Sequence, residues 1–482
     1  MRGKKVLIIG IDSLEGRFIN DIVNYGVSKG FSFFLKHGVS ATLRSTFPPD
    51  TFLAWPTIYT GLLHQRFNLK PEPESPSVMM AKSLIVRDKI AGKTFWDIAS
   101  IKGKRVCIIN PIFAYPPWDV NGLMVTGPSF GLKGSPLSKP ARKDIASYKL
   151  GTYGSAPLLP HEYKKVLNET LRQLVDVFKM TYKFFDEESY DLMFVADYTL
   201  DRIQHYYWRF YDPKDPLNPK ILNTFRKVIT NYYILIDSFI KKFIEKFSGE
   251  YIIVVFGDHG HTMRPTRLLS IDRLLNPTSS VYTLRELLKS LTMLGAYYSG
   301  TSNFAYWLIR KLQERGLMGR IITVKKEKFT KSERLAIISL SEFGLKEYVG
   351  LKIQIKDDFK SFLINKLKGN LIQRGLAEFV VTPSEYYGVG NLNYEADLYL
   401  KLKDMGNAQT KSSFMIIPNY TRRIISGGHG LHSLLLLYDS EERIRIKTNI
   451  VRVHDISPSI LALMGLKPEV HFDGLNVMSI ER

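Results

Sequence analysis

The sequence predicts an α/β fold in which a largely parallel central sheet is flanked by helices and interrupted by an inserted subdomain. Two observations carry the prediction. Apolar runs rich in β-branched residues indicate fully buried strands at 4–12, 104–110, 191–198 and 251–258. Long helical patterns separate most of these runs, and buried strands that alternate with helices are typical of βαβ units and a parallel sheet.

The first strand, "KKVLIIGID" at 4–12, is apolar without alternation, as expected where both faces of a sheet are covered. Further along, "STFPPDTFLAWPTIYTG" at 45–61 is typical of a turn that leads into a helix. Two long helices are predicted at 161–187 and 221–247. The chain closes with "DISPSILALMG" at 455–465, which predicts a capped helix that ends at Gly465.

A different pattern begins near Arg264 and continues to Pro383, which predicts an inserted, cap-like subdomain at 264–383 within a core formed by 1–263 and 384–482. Helical patterns are expected at 283–295 and 304–316, and a basic surface loop at 323–334. Strand patterns return at 376–383 and 395–402.

The composition indicates a globular protein with a basic surface. The chain has 482 residues, 45% of them hydrophobic, and its 67 basic and 46 acidic residues give a net charge of +21. Such a surface suits a small anionic phosphate ester, with a nucleotide among the candidates and nucleic acid left open; a solvated basic surface without a partner is an equal alternative. The single cysteine, Cys107, excludes a disulfide within the chain. We expect no signal peptide, no membrane span and a cytoplasmic location.

Metal-binding side chains follow the predicted strands. In open parallel sheets, ligands bind beyond the carboxyl ends of the strands, so residues at those positions count more than the same types elsewhere. Asp201 and His205 are four residues apart, which places both on one helix face. The candidate metal ligands are Asp12, Asp201, His205, Asp258, His259 and His429.

Each candidate alone has an ordinary explanation. Asp12 fits a helix N-cap, the Asp201–His205 pair fits a surface hydrogen bond, and His429 fits a glycine-rich turn. Asp258 after five apolar residues is harder to explain, because a buried carboxylate is costly unless it is paired or binds a cation. Together the residues describe a two-metal hydrolytic site, and imidazole with carboxylate ligands favours zinc, with manganese or iron as alternatives.

A nucleophile is also available in Thr51, at the predicted start of the helix after "PPD". Free N–H groups at a helix N-terminus can bind phosphate oxygens, and a threonine hydroxyl at a metal ion becomes a nucleophile. An ordinary N-cap role is the favoured alternative on the residues alone.

In this order, "VLIIGID", "TFPPDTFLAWPTIYTG", "YDLMFVADYTLDRIQHYYW", "VVFGDHG", "SGGHG" and "DISPSILALMGL" resemble the type I phosphodiesterase/nucleotide pyrophosphatase family of the alkaline phosphatase superfamily, in an archaeal-type member. The resemblance implies an alkaline-phosphatase-like core. It also implies one metal ion held by Asp12, Thr51, Asp258 and His259, and a second held by Asp201, His205 and His429. Thr51 would attack phosphorus and form a phosphothreonine that water later hydrolyses.

The chain departs from the family pattern near the nucleophile. Ala54 stands where the family often has an asparagine that contacts phosphate, and Leu53 replaces a proline. Phe67 and Asn68 replace a His-Gly pair. Two additional histidines, His261 and His432, are interpreted as structural or as neighbours of the ligands.

The predicted function is a metal-dependent phosphodiesterase or nucleotide pyrophosphatase. The alternatives are a phosphomutase or phosphomonoesterase of the same superfamily, similar to cofactor-independent phosphoglycerate mutase, and a non-catalytic binder of nucleic acid or polyphosphate. Aromatic residues near the site, Trp55 and Tyr115, are candidate substrate contacts, although aromatic side chains at such positions are more often part of the core.

Overall fold

The computed structural model describes residues 4–69, 76–128, 132, 134–151, 156–219, 223–270, 291–292, 294–295, 298–299, 301, 335–339, 347–353, 357–390, 392–407, 416–467 and 469–481. The strands of this part of the chain are β1 (Lys5–Ile11), β2 (Val39–Arg44), β3 (Val106–Ile109), β4 (Gly122–Thr126), β5 (Leu137–Lys139), β6 (Leu192–Asp197), β7 (Tyr251–Phe256), β8 (Gly260–Met263), β9 (Arg267–Leu269), β10 (Leu335–Ser339), β11 (Tyr348–Ile353), β12 (Ala377–Val381), β13 (Leu398–Leu402), β14 (Met405–Asn407), β15 (Ile416–Pro418), β16 (Gly427–Gly430), β17 (His432–Tyr438), β18 (Ile444–Ile446), β19 (Ile450–Arg452) and β20 (Met478–Ile480).

The α-helices of the described residues are α1 (Gly16–Asn24), α2 (Gly30–His37), α3 (Thr51–Thr60), α4 (Pro76–Ile90), α5 (Phe95–Ile101), α6 (Pro160–Glu187), α7 (Thr199–Tyr211), α8 (Val228–Phe247), α9 (Asp357–Gln373), α10 (Pro383–Tyr387) and α11 (Ile456–Leu463). Short 3₁₀ helices lie at His64–Phe67, Tyr420–Arg423 and Val453–Asp455.

A nine-stranded sheet forms the centre of the fold, in the order β19-β2-β17-β7-β1-β6-β3-β4-β5. The block from β7 to β4 is parallel throughout. Its first four members are the four strands that the sequence predicts, and they lie side by side. The predicted α/β class and the largely parallel sheet are therefore confirmed, while β17 and β5 run antiparallel to their neighbours.

Both faces of this sheet are covered, which explains why its strands are apolar without alternation. Leu7 and Ile9 of β1 pack in a cluster with α1, α2, α6, α7 and α8. Val6 and Ile8 face the opposite cluster, which α3, α4, α5 and α11 cover. Gly10 lies where a Cβ atom would stand 2.7 Å from the ring of Trp55, so β1 and α3 approach closely beside the site.

Both long helices that the sequence predicts are present, but only one of them starts where it is predicted to start. Helix α6 begins within one residue of the prediction. Helix α8 begins at Val228 rather than 221, because residues 224–227 form a turn. The predicted C-terminal helix is α11, and Gly465 follows it with φ of +70°, in the left-handed region that glycine adopts most readily.

A second, smaller sheet has the order β10-β11-β13-β12 with antiparallel neighbours throughout, and it encloses its own apolar cluster with α9. The predicted boundary at residue 383 falls between β12 and β13 of this sheet. The large sheet resumes only at β17. Most of the predicted helices at 283–295 and 304–316, and the basic stretch 323–334, lie outside the described residues.

No helix among the described residues is long and apolar enough to cross a membrane.

Candidate metal centre

The predicted ligands meet at one edge of the large sheet. Asp12 directly follows β1, and Asp258 and His259 come just after the adjacent strand β7. Asp201 lies in the first turn of α7, which follows β6 on the other side of β1. The carboxyl ends of these parallel strands therefore bring together residues that are up to 247 positions apart (Asp12 and His259), as the sequence predicts.

Four of the residues form a first cluster around one imidazole nitrogen. The Nε2 atom of His259 lies 3.3 Å from Oγ1 of Thr51, 3.4 Å from Oδ1 of Asp12 and 3.4 Å from Oδ2 of Asp258. All four side chains are buried. We call Asp12, Thr51, Asp258 and His259 the Asp258 group.

The remaining three residues form a second cluster, which we call the His205 group: Asp201, His205 and His429. The Nε2 atoms of the two histidines are 2.9 Å apart. Asp201 reaches both, at 3.2 Å from His205 Nε2 and 3.3 Å from His429 Nε2. The stacked rings of His259 and His429, with centroids 3.8 Å apart, join the two groups.

A hydrogen bond to a backbone carbonyl oxygen fixes the tautomer of each of the three histidines. Each Nδ1 lies within hydrogen-bond distance of a carbonyl oxygen, so that Nδ1 carries the proton and Nε2 carries the lone pair. For His205, His259 and His429 these acceptors are the oxygens of Gly427 at 2.9 Å, Gly260 at 3.0 Å and Pro49 at 2.7 Å.

These tautomers fit bound cations. With Nδ1 protonated, the Nε2 lone pairs of His205 and His429 face each other at 2.9 Å, which is unfavourable unless a proton or a cation lies between the rings. In the Asp258 group, Oδ2 of Asp258 is buried and accepts no hydrogen bond from the described residues. Two sets of three close Asp and His donors are present, namely Asp12, Asp258 and His259, and Asp201, His259 and His429.

Burial shifts the pKa values of the carboxylates and imidazoles in the site, and for one carboxylate the neighbouring imidazoles outweigh the effect of burial. Burial raises the pKa of Asp258 well above its usual value and lowers the pKa of His259 well below its own. Burial also acts to raise the pKa of Asp201, but the imidazoles of His205 and His429 outweigh it, and the pKa of Asp201 lies well below the usual value. A bound cation would favour the charged form of Asp258 in the same way.

Thr51 is the first residue of α3, and Asp50 rather than Thr51 is its N-cap. Oδ1 of Asp50 accepts from Phe52 N at 2.7 Å, and its carbonyl oxygen accepts from the N–H groups of Leu53 and Ala54. The structure thus corrects two expectations: Thr51 does not act as the N-cap, and most N–H groups of this turn are already bonded and unavailable to a phosphate. The Thr51 hydroxyl is left to face His259.

Sequence analysis missed several residues that support the site. The backbone N–H of Ser13 donates to Asp258 at 3.1 Å, and its hydroxyl contacts Nδ1 of His261 at 2.7 Å. Gln204 donates to the Ser13 carbonyl at 2.7 Å. The backbone of Ser13 has φ of +67°, a conformation that the residue type serine does not predict. In the sequence, the role of Ser13 could have been inferred only from its position next to Asp12.

The two additional histidines have different surroundings. His261 is buried, pairs with His429 across β8 and β16, and lies 3.6 Å from Asp201. This placement agrees with a role beside the ligands. His432 is exposed on β17 and pairs with Arg44 of β2.

The two aromatic candidates also differ. Trp55 is fully buried, and its indole N–H donates to Oδ2 of Asp12 at 3.2 Å. This contact places Trp55 beside a candidate ligand, and its contact with a substrate stays a prediction. Tyr115 is partly exposed. It follows Phe113, whose ring packs 4.5 Å from that of Phe52, the neighbour of Thr51.

Buried imidazoles and carboxylates thus surround a hydroxyl, and these side chains could hold metal ions. The family described as type I phosphodiesterase/nucleotide pyrophosphatase matches residues 6–287, more than half of the chain. The chain therefore belongs to the type I phosphodiesterase/nucleotide pyrophosphatase family, and it is an enzyme of the phosphoester hydrolase class. The predicted family is confirmed.

Several solved structures are similar over nearly their full length. Murine ectonucleotide pyrophosphatase/phosphodiesterase 5, as an inactive variant in complex with AMP, has a TM-score of 0.48 and 13% identity, and covers 99% of this chain and 100% of its own. Phosphonoacetate hydrolase from Sinorhizobium meliloti 1021 in complex with phosphonoformate has a TM-score of 0.48, 11% identity and 96% coverage of both chains. No curated protein matches the sequence.

Proposed function

We propose that the protein is a metal-dependent hydrolase of phosphodiester or phosphoanhydride bonds that acts through a phosphothreonine at Thr51. The observation that carries the proposal is the position of the Thr51 hydroxyl. It lies 3.3 Å from the same His259 Nε2 atom that both carboxylates of the Asp258 group approach. A hydroxyl placed among buried ligands, at the start of a helix, is suited to attack phosphorus.

The Asp258 group and the His205 group would each hold one divalent ion. Nitrogen and oxygen donors without thiolate favour zinc, with manganese or iron as alternatives. When bound, the ions would lower the pKa of the Thr51 hydroxyl and neutralise charge on the phosphoryl oxygens. The carbonyl contacts at Nδ1 hold the histidines in the tautomer that this requires.

The reaction would proceed by two displacements at phosphorus. Oγ1 of Thr51 loses its proton and attacks, so that the Oγ1–P bond forms while the bond from phosphorus to the leaving oxygen breaks. The leaving group takes the electron pair and a proton. Water then attacks phosphorus, the Oγ1–P bond breaks, and Thr51 regains its proton.

The surroundings of Thr51 support diesters and anhydrides over monoesters. A monoester dianion calls for additional cationic donors. The stretch 47–61 contains no lysine or arginine, and the α3 residues after Thr51 are buried and mostly apolar. We propose that Tyr115 contacts the organic group of the substrate. Lys325 and Lys326, which could add positive charge over the cleft, lie outside the described residues.

Substitution of Thr51 tests the covalent route. Thr51→Ala should lower kcat by roughly 10³-fold or more, while Thr51→Ser should keep part of the activity because it keeps the hydroxyl. A chiral thiophosphate substrate should show retention of configuration, since two inversions cancel. Near-normal turnover of Thr51→Ala, or inversion at phosphorus, would show that water attacks in a single step.

The substrate class is tested separately. We would compare kcat/KM for bis-nitrophenyl phosphate, a nucleotide monophosphate nitrophenyl ester and nitrophenyl phosphate at one pH and one metal load. We expect the two diesters to be preferred. A clear preference for the monoester would move the protein toward the phosphatase or mutase branch, without affecting the role of Thr51.

A further inference from the structure

The loop before the nucleophile is enclosed by aromatic residues of the small sheet and its neighbouring helix. Phe47, four residues before Thr51, is fully buried. Its ring is stacked on Tyr399 with centroids 4.6 Å apart and an interplanar angle of 14°. It meets three further rings at their edges: Tyr348 at 5.5 Å, Tyr386 at 5.5 Å and Phe379 at 6.0 Å.

These rings come from β11, β12, β13 and α10, which are not part of the large sheet that carries most of the ligands. Together with Tyr387 of α10 they form a set that we call the aromatic clamp: Tyr348, Phe379, Tyr386, Tyr387 and Tyr399. The clamp and Phe47 belong to an apolar cluster separate from the cores of both sheets.

Hydroxyl groups of the clamp bind backbone atoms on both sides of the site. The Tyr387 hydroxyl accepts from Phe47 N at 2.8 Å and donates to Phe47 O at 3.3 Å. Tyr386 donates to Ser45 O at 2.9 Å. Tyr348 donates to the carbonyl oxygen of His429 at 3.0 Å. Apolar packing alone would not require hydroxyls aimed at the main chain, and each such bond adds direction to the contact.

The same loop also ends in the site. The carbonyl oxygen of Pro49 accepts from Nδ1 of His429 at 2.7 Å, and the Asp50 side chain caps the helix that begins at Thr51. A shift of the loop would therefore move the nucleophile and release the contact that fixes the His429 tautomer. Displacements of about 1 Å at reacting groups cost about 10²-fold in rate.

We infer that the clamp hydroxyls that bind the main chain position Thr51 and His429. The hydroxyl of Tyr399, which binds side chains instead, does not share this role. Tyr387 is the principal positioning residue, because it holds both backbone groups of Phe47. The inference rests on the proposed role of Thr51 as nucleophile.

Two tyrosine-to-phenylalanine variants separate positioning from packing. Tyr387→Phe removes the hydroxyl that holds Phe47. Tyr399→Phe is the matched control, because Tyr399 is equally buried and its hydroxyl binds Glu395 and Gln65 instead of the loop. Both variants keep their rings and each loses one tyrosine hydroxyl with its hydrogen bonds, so we expect similar losses of thermal stability.

We expect Tyr387→Phe to lower kcat by about 10- to 100-fold at nearly unchanged KM, and Tyr399→Phe to change kcat by less than about threefold. Hydrogen–deuterium exchange of a peptide covering residues 45–55 should increase in Tyr387→Phe alone. Equal effects of the two variants on kcat and on exchange would overturn the inference, because they would show that the clamp only stabilises the fold.

Thr51→Ala in the same assay separates the two proposals. If Thr51→Ala is inactive and the two tyrosine variants have equal kcat and exchange, the inference that the clamp positions Thr51 is overturned. The proposed role of Thr51 as nucleophile is then unaffected. A fully active Thr51→Ala variant overturns the nucleophile, and with it the positioning of that nucleophile.

Discussion

The Asp258 group and the His205 group lie side by side but are built differently. Asp12, Asp258 and His259 are fully buried and lie within three residues of the ends of two neighbouring parallel strands. In the His205 group, Asp201 and His205 come from a helix, and His429 comes from the short strand β16, more than 220 residues away. The His205 side chain is 13% exposed, in contrast to the 0% of His259.

This difference separates two tasks. The Asp258 group contains the proposed nucleophile and lies at the ends of buried strands, which are the segments that open least readily in folded proteins. The His205 group is assembled from distant segments and is reached from solvent, so we expect its ion to exchange more readily. His259 touches both groups, since its ring stacks on His429.

Removal of one histidine from each group should give the largest contrast. We expect His259→Ala to lose both ions and nearly all activity, because His259 belongs to both sets of close donors. His205→Ala should lose one ion, with affinity lowered by roughly 100-fold or more, and excess metal should restore part of the activity. Elemental analysis and activity with added zinc measure both. Two ions retained in His259→Ala, or both lost in His205→Ala, would contradict the assignment.

Chelator treatment should release the ions in two phases. Opening of the Asp258 group would break the buried hydrogen bond from Ser13 N to Asp258, worth about 1–1.5 kcal/mol, which corresponds to roughly tenfold in rate. We expect rapid loss of one ion, slow loss of the other, and a lower thermal midpoint after each phase. Stopped-flow detection with a chromogenic chelator follows the release, and a single phase for both ions would remove the distinction between the groups.

A smaller effect is expected from the indole that orients Asp12. Trp55→Phe removes the N–H that donates to Asp12 and should weaken the Asp258 group by about tenfold, as for other outer partners of ligands. Trp96→Phe is the matched control: Trp96 is equally buried, and its N–H has no partner among the described residues. Metal titration of both variants measures the metal affinity of the Asp258 group. Equal affinities in Trp55→Phe and Trp96→Phe would show that the Trp55 contact does not support Asp12.

The last prediction concerns the stability of the fold and not the activity or metal affinity of either group. Burial lowers the pKa of His64 from 6.5 to about 4, and neither ring nitrogen has a hydrogen-bond partner among the described residues. Since the unfolded chain takes up the proton first, about 3 kcal/mol of unfolding free energy is present above pH 6.5 and is lost as the pH falls towards 4.

His64→Leu should therefore flatten the fall in stability below pH 6.5 and leave activity near neutral pH unchanged. Urea unfolding of the metal-free protein at a series of pH values measures this effect apart from metal loss. A variant curve parallel to that of the unsubstituted protein would exclude His64 as the cause.

Local sequence patterns carried much of the fold and of the ligand set. The strands β7, β1, β6 and β3 were predictable because strands covered on both faces are continuous apolar runs. Asp12 and Asp258 could be predicted as candidate ligands because a carboxylate just after such a run is otherwise costly to bury. The antiparallel strand β17 and the small-sheet membership of β13 were not predicted, since pairing between distant segments leaves little trace in local periodicity.

By itself, then, the sequence determined which residue types stand at the ends of the buried strands, and through them the family and the class of reaction. Only the tertiary structure decided that the indole of Trp55 donates to Asp12 and that Phe47 is enclosed by the aromatic clamp. The physical reason is the separation along the chain of the residues that make each contact. Periodicity and burial cost act on neighbouring residues, whereas these contacts join segments from 43 to more than 300 residues apart, and the packing of the whole chain sets their geometry.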